Sequence, residues 1–245
     1  RLEAKYNLEP SAEIKGSTLA IRAKKYNEER TEANIGRDFY KALDFNKLYA
    51  KNHPDNELSL ALLNTWGTEI ENKELNEIFN LFPKNLKKSK YGRKVNELIN
   101  LKKDLKIGDK IIDISLKDSK NKLINTSDLK GKIILFEFWA SWCGPCRASF
   151  PELKITYEKY KDKGFEIYAI SLDKDYDKWI KAVEKDGLLW LNVSDLNGYD
   201  SSVVKTFGIN GIPANFLIDE NGIIQAKDLR GQFLDKKVLE LVSKK

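Results

Sequence analysis

The sequence points to an α/β fold with a mixed central sheet flanked by helices, preceded by an all-helical module. Residues 11–104 keep a helical apolar period. From Ile107 the period shortens to strand-like runs, and these then alternate with helical segments before closing on a hairpin. The expected division is 1–106 for the helical module and 107–245 for the α/β domain.

In the helical part, Ile35, Phe39 and Leu43 recur at four-residue spacing, as do Leu75 and Phe79, with Phe82 three further on. Asp55, after Pro54, and Asn72 are the expected N-caps, while Pro54, Pro83 and Gly92 interrupt the pattern. Four or five helices follow from this punctuation. His53 is the single histidine of the chain and precedes Pro54 at an expected helix end. One histidine without companion ligands makes no metal site, so a surface role is expected.

The later segments read in order. "KIIDISLKD" and "NKLINTSDL" suit short strands, and "GKIILFEFWA" is a nearly continuous apolar run that suits a strand buried on both faces. A helix from about Cys143 to Lys161, the strand "FEIYAISLD", a helix around Asp177 to Lys185 and a short strand near Leu189 come next. After an irregular stretch to Tyr199 and a helix around Ser202 to Phe207, "ANFLIDENGIIQAKDL" reads as a hairpin turning at Asn221-Gly222. A helix over Asp235–Val242 closes the chain.

Composition narrows the function. At 245 residues with 41% hydrophobic side chains, five Trp and eleven Phe, the chain can fill real cores. No apolar run approaches the ~18 residues that cross a bilayer. The chain opens on Arg1 and contains no Met, which suggests a processed or trimmed chain, so localisation is not readable from its first residues. Residues 1–106 carry 21 Lys/Arg against 16 Asp/Glu and residues 107–245 carry 22 against 21, so nearly all of the formal charge of +6 lies in the first part. Its densest piece, "KNLKKSKYGRK", lacks the accompanying aromatics that single-strand binding uses, so a solvated helix surface is expected and no nucleic-acid partner.

The only two cysteines, Cys143 and Cys146, stand where the apolar run stops and the helical pattern begins. A thiol in the first turn of a helix meets the positive end of the dipole and unpaired N–H groups, both of which favour thiolate. Cys143 is therefore the candidate nucleophile. Cys146, one helical step later, is placed to attack a mixed disulfide formed at Cys143 and release the partner. Gly144 allows a tight loop, and Pro145 sits where its missing N–H costs nothing. A zinc site would need about four ligands, which two Cys and one distant His do not supply. A purely structural disulfide would close a loop too short to remove much chain entropy.

"FWASWCGPC" together with Gly211-Ile212-Pro213 resembles the thioredoxin superfamily, and "KGKIILFEFWASWCGPCRASFPEL" resembles its bacterial TlpA/ResA-like branch. The resemblance covers about residues 107–245. It rests on Trp142, the Cys143-Gly144-Pro145-Cys146 box, Pro151 where the family kinks this helix, Pro213 at the position of the cis-proline and Gly231 in the loop of the last strand. The stretch between "FEIYAISLD" and Gly211 is longer than in plain thioredoxin and resembles the inserted helix and strand of the branch.

The resemblance implies a thioredoxin fold and a thiol:disulfide oxidoreductase that reduces disulfides of exported proteins, with no metal and no organic cofactor. Its partners would be protein disulfide or dithiol substrates and an upstream thiol electron donor. An exported chain in the periplasm or cell envelope is implied, with membrane attachment through a segment outside this sequence. Glu137, a carboxylate inside an apolar run, should be buried with a raised pKa. It stands at the family's buried acid that relays the proton of the second cysteine, though Glu replaces Asp there. Ile212 and Pro213 would present backbone to an extended substrate, with Trp142 as a partly exposed lid and Trp139 in the core. Some ResA-like proteins carry a Glu three residues after the second Cys; Ser149 stands here instead. The alternatives are an isomerase or oxidase, a peroxiredoxin-like peroxidase, and a binding protein whose helical module dominates.

Overall fold

All seven residues of the run Ile133–Trp139 are buried, and the second half of the protein is built around them. In this computed structural model residues 18–244 are described; the expected helical residues 11–17 lie outside them. The chain divides into two compact units between Lys103 and Asp104.

Among the described residues the first unit comprises α1 (Thr18–Glu32), α2 (Phe39–Asn52), α3 (Glu57–Trp66), α4 (Asn72–Asn80), the single turn α5 (Lys84–Lys87) and α6 (Lys90–Leu101). Leu60, Leu63, Leu75, Ile78, Phe79 and Val95 form its main core. The α3 cap is Asn56, whose side chain accepts from Leu58 N at 2.9 Å, and not Asp55. Asn72 is not a cap either. It is the first helical residue of α4, behind Glu71, and its amide donates to the carbonyls of Ile99 and Lys102. Gly92 does not break a helix but sits within α6, where a Cβ would strike the Leu86 carbonyl. His53 caps the end of α2, with its ring 4.4 Å from that of Tyr49 and Nε2 3.9 Å from Glu29.

The second unit contains β1 (Ser115–Asp118), β2 (Leu123–Asn125), β3 (Ile133–Trp139), α7 (Gly144–Tyr160), β4 (Phe165–Ser171), α8 (Tyr176–Asp186), β5 (Leu191–Ser194), α9 (Ser202–Thr206), β6 (Ala214–Ile218), β7 (Ile224–Lys227) and α10 (Gly231–Val242). The sheet order is β2-β1-β5-β4-β3-β6-β7, with β3 parallel to β4 and antiparallel to β6. The expected strand near Leu189 begins two residues later, and Leu189 itself is exposed. Gly231 lies in the first turn of α10 at φ 53°, not in a strand loop, so the last helix starts four residues before Asp235.

Successive side chains of β3 point to opposite faces. Phe136 and Phe138 pack against Phe207 just after α9, at centroid distances of 5.8 and 5.4 Å. Trp139, on the other face, meets Phe150 of α7 edge-on at 5.2 Å. Glu137 shares that face with Trp139. Burying rings of this size contributes about 2–3 kcal/mol each, which fixes α7 against the sheet. The helix continues through Pro151. Among the described residues no helix is long and apolar enough to cross a membrane, and no three His, Cys, Asp or Glu side chains cluster as metal ligands.

Candidate active site

Cys143 is the N-cap of α7, four residues past the carboxyl end of β3. Its sulfur accepts the Cys146 backbone N–H at 3.2 Å, and the two cysteines form a disulfide with Cα atoms 5.3 Å apart. Cys146 is fully buried and Cys143 nearly so. Gly144 and Pro145 between them are exposed. The backbone of Gly144 does not need a glycine: its φ is not positive and a Cβ would meet nothing within 4 Å.

Sheet register brings the remaining predicted residues to the same end. Phe138 pairs with Ala214, so the end of β3 that leads to the cysteines lies against Pro213. The Ile212–Pro213 peptide is cis, and Ile212 packs on the core. Trp139 is completely buried, while Trp142 is 48% exposed and borders a cleft of about 290 Å³ with Asp173, Lys174, Lys178 and Tyr199.

Glu137 is 1% exposed and is held by two side chains that the sequence did not reveal. Asn215, directly opposite on β6, donates to Oε2 at 3.0 Å, and Arg230 reaches Oε1 at 3.3 Å. Burial pushes the carboxyl up to about 7, against the pull of the Arg230 charge and the Asn215 hydrogen bond. A water-sized space of about 20 Å³ adjoins it, bordered by Ser149, Glu152, Thr156 and Arg230. Ser149, where the resemblance places an acid in some proteins, donates to the Cys146 carbonyl at 2.7 Å. A polar Asn inside the apolar run "ANFLI" is the one signal that marks Asn215. Arg230 carries no local signal at all.

The comparisons agree with this geometry. The sequence pattern of the AhpC/TSA family matches residues 107–227. The thiol-disulfide oxidoreductase ResA of Bacillus thuringiensis subsp. konkukian is 30% identical over 151 residues, spanning 57% of this chain and 79% of that protein. ResA of Oceanobacillus iheyensis is 35% identical, over 51% of this chain and 68% of its own length. Among solved structures, the thioredoxin domain of a thiol-disulfide oxidoreductase from Bacteroides vulgatus superposes with a TM-score of 0.54 at 37% identity, covering 57% of this chain and 99% of that one. The C-terminal domain of a putative thiol-disulfide oxidoreductase from Bacteroides thetaiotaomicron gives 0.54 at 39%, covering 57% and 98%. The chain belongs to the ResA-like family of thioredoxin-fold thiol-disulfide oxidoreductases.

Proposed function

We propose that the chain reduces disulfides in exported protein substrates, with Cys143 as nucleophile and Cys146 as resolving thiol. The observation that carries this is the position of Cys143 at the N-cap of α7 with the Cys146 N–H directed at its sulfur. The helix terminus and that N–H both favour a thiolate at Cys143 once the pair is reduced.

The Cys143 thiolate attacks one sulfur of the substrate disulfide, and the other leaves as a thiolate and takes a proton. Cys146 gives its proton to Glu137 and attacks the Cys143 sulfur. This restores the Cys143–Cys146 disulfide and releases the second substrate thiol. Two electrons pass to the substrate, and an upstream dithiol protein returns the chain to its reduced state. Trp142, Gly144, Pro145, Ile212 and Pro213 line the approach. The Ile212 backbone pairs with an extended substrate segment.

The family resemblance supports a periplasmic or envelope location, membrane attachment through a segment outside residues 1–245, and residues 1–106 as a separate module. Thiol trapping in cells tests the chemistry: Cys146→Ser should accumulate partner-linked mixed disulfides at Cys143, and Cys143→Ser should accumulate few. Reversed yields would exchange the two roles, and no adducts in either would favour a binding protein.

A further inference from the structure

Asp173, just beyond the end of β4, is 1% exposed, and among the described residues no cation pairs with it. Its carboxylate is satisfied by neutral donors alone. Ser141 N donates to Oδ2 at 2.9 Å, the Ser141 hydroxyl donates to Oδ1 at 2.6 Å, and the Ser171 hydroxyl donates to Oδ2 at 2.8 Å. Ser171 is itself tied down, because its carbonyl accepts the Ser194 hydroxyl at 2.9 Å. These three donors replace the water that burial takes from the carboxylate.

What it holds is the turn that carries the nucleophile. Ser141 lies between the end of β3 and the N-cap Cys143, and its third polar group, the carbonyl, accepts Arg147 Nη1 at 3.3 Å. Arg147 is clamped in turn by both carboxylate oxygens of Asp186, at 2.6 and 2.7 Å. Every polar group of Ser141 is thus engaged. The other charges around this turn are already matched: Arg147 by Asp186, Lys174 by Asp200 at 3.0 Å, and Lys178 by Asp175 at 3.4 Å. Asp173, which shares the cleft beside Trp142, is the charge left without a partner.

We propose that Asp173 is a positioning residue for the thiol exchange. It fastens Ser141 so that Trp142 and Cys143 keep their places in both redox states, and its negative charge offsets part of the helix-terminal stabilisation of a Cys143 thiolate. This rests on Cys143 being the nucleophile.

Charge and position can be separated. In Asp173→Asn an amide oxygen in place of Oδ2 still accepts Ser141 N and the Ser171 hydroxyl, while the NH₂ in place of Oδ1 faces the Ser141 hydroxyl, which rotates to accept, so the geometry survives and the charge does not. In Asp173→Ala both are lost. The reduced full chain of the parent and each variant is alkylated across pH 5 to 10, and adducts at Cys143 and Cys146 are counted by mass spectrometry. Insulin disulfide reduction is followed in parallel.

The Cys143 alkylation midpoint in Asp173→Asn should fall by about half a pH unit, making Cys143 about threefold more ionised below the midpoint. Its insulin rate should stay within about twofold of the parent, whereas Asp173→Ala should lose on the order of tenfold. An unmoved or raised midpoint in Asp173→Asn overturns the electrostatic role, and an unchanged insulin rate in a folded Asp173→Ala overturns the positioning role. If Asp173→Ala does not fold, Ser141→Ala, which removes only the hydroxyl, should slow insulin reduction while leaving the fold intact, and an unchanged rate again overturns the positioning role. Faster labelling of Cys146 than Cys143 in the parent would instead overturn the nucleophile assignment and leave the Asp173 result readable on its own.

Discussion

Glu137 stands directly opposite Asn215 in the antiparallel pair of β3 and β6, and the Asn215 amide donates to its carboxylate at 3.0 Å. The same amide donates to the Leu229 carbonyl at 2.8 Å, and the Asn215 side-chain oxygen accepts Leu229 N at 3.1 Å. One asparagine therefore fixes both the buried acid and the segment that delivers Arg230 to it. The acid is tuned from the strand and charge-balanced from the segment leading into α10.

Glu137 carries a pKa raised to about 7, chiefly by burial. A carboxyl whose folded pKa lies above its unfolded value contributes stability below the unfolded pKa and loses it as pH rises through the folded one. Unfolding free energy of the parent should thus fall between about pH 4.5 and 8 relative to Glu137→Gln. The difference between the two should change by about 3 kcal/mol over that window. Denaturant melts at pH 5 and 8 check this, and parallel profiles would count against an ionising Glu137. Turnover by Glu137→Gln should be slowed near neutral pH.

Arg230 lowers the Glu137 pKa through its charge and its hydrogen bond. Arg230→Gln should therefore leave the acid protonated to higher pH and move the acidic limb of the insulin-reduction profile upward. An unmoved limb would show that the ion pair does not govern proton transfer.

The direction of electron flow follows from the charges around the thiols. No His stands between the cysteines to stabilise a thiolate, and Glu137, once ionised, disfavours further negative charge nearby. The purified chain, equilibrated with glutathione buffers, should therefore lie nearer the thioredoxin end, about −270 mV, than the oxidant end, about −120 mV. A potential above about −170 mV on that scale would favour an oxidase or isomerase.

In the first unit, Asn56→Ala should lower stability by about 1 kcal/mol through loss of the α3 cap, and Asp55→Ala should change it by much less. Equal losses in thermal melts would contradict the cap assignment.

Features set by neighbouring residues were legible in the sequence. The two thiols at a strand-to-helix junction, the buried acid in "ILFEFW", the alternation of strands and helices and the hairpin at Asn221-Gly222 each depend on spacing within a few positions. Choices between adjacent residues of similar chemistry were less so. Asp55 and Asn56 are both capping types, and only the turn geometry selected Asn56. Gly231 opens α10 because the backbone adopts φ 53° there, which its residue type alone leaves open.

The sequence by itself determined the thiol chemistry and the burial of Glu137, because both follow from local pattern and composition. Only the tertiary structure decided what holds them: Asn215 and Arg230 lie 78 and 93 residues from Glu137, and Asp173 lies 32 from Ser141. Such partners are chosen by sheet register and by the end of the sheet where the strand termini converge. A one-residue slip of β6 would turn Asn215 to the opposite face, away from Glu137.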